Sequence, residues 1–111
     1  MREASWAGLE FTVLGRHDTQ RVRAPGLFAF AVRDGGKLTL VYAGEAQDIA
    51  REVGPHHPAW VKALELGFNE IHICLNAGER LDRLQLLSRL VRAETPALNG
   101  EADEAAARAA G

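Results

Sequence analysis

Leu27-Phe28-Ala29-Phe30-Ala31-Val32, then Asp34-Gly35-Gly36, then Lys37-Leu38-Thr39-Leu40-Val41-Tyr42: the reading of this stretch decides the fold. Two runs of apolar and β-favouring residues joined by a Gly-rich turn make a β-hairpin. Pro25-Gly26 punctuates the chain just before it. Further upstream, residues 9–14 (Leu-Glu-Phe-Thr-Val-Leu) alternate apolar and polar side chains, the pattern of a half-buried strand. Between that strand and the hairpin lies a polar connector, Arg16-His17-Asp18-Thr19-Gln20-Arg21-Val22-Arg23, which carries most of the early positive charge.

Beyond Gly44 the pattern turns helical. Residues 46–53 form a short helix that Gly54-Pro55 ends. A second helix covers 58–66, with Pro58 in its first turn, Trp60, Ala63, Leu64 and Leu66 facing inward, and Gly67 as its stop. Residues 71–75 (Ile-His-Ile-Cys-Leu) read as a strand that joins the hairpin sheet. Asn76 is expected to cap a third helix over 78–94, with Glu79 completing a capping-box-like pair. Leu81, Leu84, Leu87, Leu90 and Val91 would form its apolar face. The order β, β-hairpin, α, α, β, α implies an α+β fold: a small central β-sheet, the hairpin plus further short strands, flanked by helices. Residues 101–108 are Ala-rich and acidic, and read as a solvent helix or a disordered tail.

A chain of 111 residues suits one domain with a single core. A hydrophobic share of 47% and a charged share of 25% fall in the range of soluble globular proteins. The single cysteine, Cys74, sits in an apolar run and reads as a reduced, buried thiol, which favours a cytoplasmic setting. The first residues hold no long apolar stretch, so neither a signal peptide nor a membrane span is expected. A formal net charge of -2 gives no global argument for nucleic acid, so any polyanion site must come from local clustering.

Gly26-Leu27-Phe28 and Tyr42-Ala43-Gly44 lie at the ends of the two hairpin runs, and Pro96-Ala97-Leu98-Asn99 follows far downstream. In that order they resemble the frame of a GIY-YIG nuclease domain over residues 25–99. The resemblance leaves residues 1–24 as an N-terminal strand with the basic connector and 100–111 as the acidic Ala-rich tail. In that family the third residue of the first motif is a Tyr that orients the attacking water; here it is Phe28. Tyr42 matches the Tyr that bonds near the scissile phosphate. The position of the family's phosphate-holding Arg is Glu52, with Arg51 one step earlier, and His56 occupies the place of a common His. The family's metal-binding Glu falls on Leu87, and its closing Asn on Asn99.

These replacements have chemical consequences. A Phe has no hydroxyl to relay a proton, and Leu87 has no oxygen to offer a hard cation. A carboxylate at 52 repels the phosphate that an Arg would hold. Hydrolysis of the family's kind is therefore not expected, and no catalytic residue, metal or cofactor is assigned. Read without the resemblance, Phe28 is a core residue, and Tyr42 is either core or a retained pocket phenol. Gly26 and Gly44 are read either as part of the frame or simply as turn residues. Asn99 would bond its own backbone or fasten the C-terminal segment. Asp48, Glu52 and His56 are four apart, but Gly54-Pro55 interrupts the helix that would align them into a metal site. His72 is expected to be a residue of a sheet face.

The leading expectation is a catalytically degenerate domain that binds nucleic acid, most plausibly DNA, through Arg16, Arg21, Arg23, Tyr42, Arg51 and His56. Arg80, Arg83, Arg89 and Arg92 read instead as a solvated helix face of mixed sign. A protein-interaction or homodimerising module is the alternative. A Mg²⁺-dependent endonuclease with a rearranged site, using Tyr42, His56 and Asp48 or Glu52, is the third.

Overall fold

A computed structural model describes residues 2–100, so the tail expectation for 101–111 lies outside the described residues. The elements are β1 (Glu3–Trp6), β2 (Leu9–Gly15), β3 (Gly26–Asp34), β4 (Lys37–Ala46), α1 (Ile49–Glu52), α2 (Trp60–Glu65), β5 (Glu70–Cys74) and α3 (Arg80–Glu94). All five strands form one antiparallel sheet in the order β1-β2-β5-β3-β4. The fold is a small α+β sandwich, as the pattern of elements implied. No helix among the described residues is long and apolar enough to cross a membrane.

The β3–β4 hairpin turns through Gly35 and Gly36, with Asp34 opposite Lys37. Gly35 has φ +61°, a conformation that favours glycine and suits the right-handed twist of paired strands. A second tight hairpin joins β1 to β2 through Ala7 (φ 51°) and Gly8 (φ 79°). The sequence reading had no β1, because Ala7 is a poor advertisement for a left-handed turn. Strand β5 is inserted between β2 and β3, and all five of its residues are buried.

The sheet is covered on both faces. Toward α1 and α2 it presents Phe28, Phe30, Val41, Ile71 and Ile73, packed with Ile49, Val53, Trp60, Ala63, Phe68 and Leu98. Toward α3 it presents Phe11, Leu27, Ala29, Ala31, Leu40, Ala43 and Cys74, packed with Leu90. Even-numbered and odd-numbered residues of β3 therefore serve opposite layers, as the pleat requires. A bulge breaks this alternation in β4: Phe30 pairs with Tyr42 and Ala31 with Leu40, leaving Val41 as the extra residue. It lets the consecutive Val41 and Tyr42 both pack on the α2 side.

Four local expectations need correction. In α2 only Trp60 and Ala63 are buried, while Leu64 and Leu66 are exposed. The helix is too short to sink more. Gly67 (φ +90°) then turns the chain so that Phe68, not Leu66, enters the core. In α3 the covered face runs through Arg83, Leu86, Leu87, Leu90 and Val91. Leu81 lies about 160° around the helix from Arg83 at 3.6 residues per turn and is 70% exposed. Leu84, at the margin, is also exposed.

The N-cap of α3 is Glu79 and not Asn76, in a reciprocal capping box with Asp82 (Glu79 N–H to Asp82 Oδ2, 3.0 Å). Lastly, Gly26 and Gly44 serve no turns, since both lie within paired strands. A Cβ at Gly26 would come within 2.6 Å of the Cys74 carbonyl oxygen, and one at Gly44 within 2.7 Å of the Phe28 ring. Each glycine is there for close approach.

Candidate functional site

On the α2 side, the ring of Phe28 lies over Gly44, its partner in register across the hairpin. Beside it Tyr42, half-buried, is 6.0 Å from Phe28 and 5.7 Å from Phe30, centroid to centroid. The residue that closes this group is His57. Its ring meets Tyr42 at 5.2 Å, Phe28 at 5.4 Å and Phe30 at 5.5 Å, all edge-on. Burial, then the neighbouring His56, hold the His57 imidazole below its ordinary pKa. Its Nδ1 accepts the Ala59 amide at 3.0 Å, which fixes the ring after the Gly54-Pro55 break. His56, the residue singled out from sequence, is exposed and turned to the Arg51 carbonyl, 2.8 Å from its Nε2. The adjacent pair gave no sequence cue to which histidine would face the aromatic group.

Helix α1 is one turn long, and its leading amides are all spoken for. The Glu52 carboxylate folds back to accept the amides of Gln47 (2.8 Å) and Asp48 (2.9 Å). The next two amides, Ile49 and Ala50, donate to the carbonyls of Ala24 (2.9 Å) and Val22 (2.8 Å). The basic connector is thus laced to α1 through its backbone, and Thr19 Oγ1 adds a bond to the Val53 carbonyl at 2.9 Å. Arg21 and Arg23 flank the anchored Val22 and Arg51 follows the anchored Ala50, so the backbone brings three exposed arginines onto adjoining segments, and Arg51 also lines an open cleft with Glu45, Asp48, Glu52 and Arg80. None of the three has an ion pair among the described residues.

Arg16 is separate in role. It is half-buried, with Nη1 3.4 Å from the Phe68 carbonyl oxygen and its guanidinium 5.8 Å above the Phe68 ring.

Leu87 and Asn99 belong elsewhere. Leu87 packs in the α3 layer, on the opposite face of the sheet from Phe28 and Tyr42. The buried Asn99 amide clamps one residue of β4: its Oδ1 accepts the Ala43 N–H (2.8 Å) and its Nδ2 donates to the Ala43 carbonyl (2.7 Å). β4 is an edge strand, and Asn99 supplies there the two bonds that a further strand would make. An open groove of about 320 Å³ beside it is lined by Leu84, Leu87, Ser88, Val91, Arg92 and Asn99. Replacing Asn99 by Ala leaves both groups of the buried Ala43 without partners. We expect a loss of about 2–3 kcal/mol of stability by urea denaturation, with the slope against urea unchanged.

The arginines of α3 are also committed. Arg83 is buried, with Nε 3.0 Å from Glu45 Oε2 and Nη1 3.1 Å from the Gly78 carbonyl oxygen. Arg80 Nε lies 3.7 Å from Glu45 Oε1. Arg89 donates to the Ala7 carbonyl oxygen (2.9 Å), tying α3 to the β1–β2 turn. Arg83 was expected on a solvated face and is instead inside the α3 layer.

Of the positions compared with the nuclease frame, then, Phe28 and Tyr42 come together and are joined by His57. Glu52 serves the start of α1, and Leu87 and Asn99 lie on the far layer and the sheet edge. Among the described residues no three His, Cys, Asp or Glu side chains are grouped so as to hold a metal ion. Compared with known proteins, the chain matches no family model, and no curated protein or solved structure matches it significantly.

Proposed function

We propose that this domain binds nucleic acid, most plausibly DNA, without cleaving it, as a degenerate relative of the GIY-YIG nucleases. The observation that carries the reading is that Arg21, Arg23 and Arg51 are exposed and without an ion pair among the described residues, on segments drawn together by the bonds from Ile49 and Ala50 to the connector. On the α3 side Arg80 and Arg83 are paired with Glu45, and Arg89 and Arg92 spend hydrogen bonds on the Ala7 carbonyl and the Ser88 hydroxyl. Exposed guanidinium groups contact phosphates and give binding without sequence preference. Hydrolysis finds little support. Phe28 has no hydroxyl, the Glu52 carboxylate is engaged with two amides, and Leu87 faces the other layer. The buried, unpaired thiol of Cys74 suits a cytoplasmic setting.

Fluorescence anisotropy with labelled duplex and single-stranded DNA at low salt tests this. The triple variant R21A/R23A/R51A should lose at least about tenfold in affinity while keeping its thermal midpoint, since none of the three makes an ion pair among the described residues. With Mg²⁺ present the DNA should stay intact. Absence of binding by the unaltered protein would overturn the proposal.

One observation favours self-assembly as a second reading. Val61 and Leu64, three residues apart on α2, are 61% and 39% exposed, an apolar pair that a second copy of the domain could cover. A concentration-independent monomer in sedimentation would exclude it.

A further inference from the structure

His72 has no access to solvent and lies on the α3 side of β5, the central strand of the sheet. Both ring nitrogens are engaged. Nδ1 is 2.9 Å from Trp6 Nε1, and Nε2 is 3.0 Å from Glu70 Oε1. An indole nitrogen can only donate, so Nδ1 is the bare acceptor and the ring proton sits on Nε2, donating to Glu70. The carboxylate is gripped in turn by Arg33, with Nε 2.6 Å from Oε2 and Nη2 3.2 Å from Oε1, and by Arg2 at 3.2 Å. The charged and titratable groups facing His72 are Glu70 on its own strand, Arg33 on β3 and Arg2 ahead of β1. In register with it, β2 presents Val13 and β3 presents Ala29, neither of which titrates.

The neutral imidazole satisfies every partner. A second proton must go on Nδ1, where it would meet the Trp6 N–H head-on, so protonation and the Trp6 contact exclude each other. Trp6 is the last residue of the edge strand β1, whose strand partner among the described residues is β2 alone. We infer that Trp6 and His72 form an acid-released latch: on protonation of His72, Trp6 leaves its seat and β1 detaches from β2 while the rest of the sheet stays folded.

The direction follows from linkage. Burial lowers the His72 pKa, and the attraction of Glu70 only partly opposes this. Detachment of β1 removes part of that burial and moves the pKa back toward the ordinary histidine value, about 6.5. The detached form therefore binds the extra proton more readily. Detachment is favoured up to tenfold for each pH unit below about 6.5, until the closed form itself begins to protonate. Glu70 adds nothing in that window. Burial raises its pKa, but Arg33, His72 and Arg2 outweigh this and hold it below its ordinary value, so it stays ionised. His57 also has a lowered pKa, but it lies on the opposite face and bears on the core around Phe30.

The test is NMR on the unaltered protein, uniformly ¹⁵N-labelled and observed from pH 7.5 to 5. At pH 7.5 the His72 nitrogen shifts should report the Nε2–H tautomer. Below pH 6.5 the Trp6 Nε1–H and the β1–β2 amides should lose protection against exchange, by up to tenfold per unit after correction for intrinsic rates. The amides of Phe28 and Phe30 should keep theirs. In His72→Gln, whose amide does not titrate, the acid-dependent loss should vanish. The latch is overturned if Trp6 protection is independent of pH down to 5, or if it is lost only together with that of β3.

Discussion

Phe30→Ala is expected to cost about 3–5 kcal/mol of stability, the usual penalty for removing a fully buried aromatic ring. Phe30 has no exposed surface, and it is the hub of the layer between the sheet and α2. Its ring stacks on Phe68 at 4.8 Å and meets Trp60, Tyr42, Phe28 and His57 at 5.5–5.7 Å. No neighbour can fill the void, because Gly67 and the β3–β4 register fix Phe68 and Tyr42 from either side. Against a total of about 5–15 kcal/mol for a small domain, the loss is a large part of the whole. Thermal unfolding would show it as a drop of well over 10 °C. A second readout separates this from general loosening: with Phe30 gone, water reaches His57, and its pKa should climb back toward the ordinary histidine value.

The second large effect lies on the other layer. Glu45→Ala is expected to cost about 3 kcal/mol, because it leaves the Arg83 guanidinium buried with the Gly78 carbonyl oxygen as its remaining acceptor among the described residues. An uncompensated buried charge is far costlier than the pair is stabilising. The double variant Glu45→Ala/Arg83→Met should therefore regain most of the loss, since Met fills the space between Leu86, Leu87 and Leu90 without a charge. A double-mutant cycle read by urea denaturation measures this. Strictly additive losses would show that Arg83 acts through packing alone.

What the sequence made legible was what local chemistry determines. The β3–β4 hairpin could be read because glycines at its turn and β-favouring runs on both sides point the same way. The order of the elements from β2 onward follows from alternation, helical spacing and glycine and proline punctuation. What escaped depends on distant partners. The face of α3 is set by Arg83, whose carboxylate lies 38 residues earlier in the chain on β4. Leucine spacing alone pointed at Leu81 and Leu84 instead. Strand β1 was missed because its turn uses alanine at a positive φ, which only pairing along β2 can impose.

The candidate site was legible in part for the same reason. Phe28 and Tyr42 could be placed from the hairpin. The histidine beside them could not, because the break at Gly54-Pro55 leaves two successive histidines whose directions depend on a backbone bond from Ala59. The bulge at Val41, which turns Tyr42 to the α2 side, has no signature in the residues around it. Nor could spacing reveal that Arg21, Arg23 and Arg51 lie on adjoining segments. That follows from two amides of α1 seeking carbonyls in the connector.

The central claim is that those three guanidinium groups bind phosphate, and the salt dependence of duplex DNA binding tests it most directly. If each neutralises one phosphate, log K should fall against log salt with a slope about 2.7 units steeper in the unaltered protein than in R21A/R23A/R51A. Equal slopes for the two proteins, or no binding by the unaltered domain at low salt, would contradict the account.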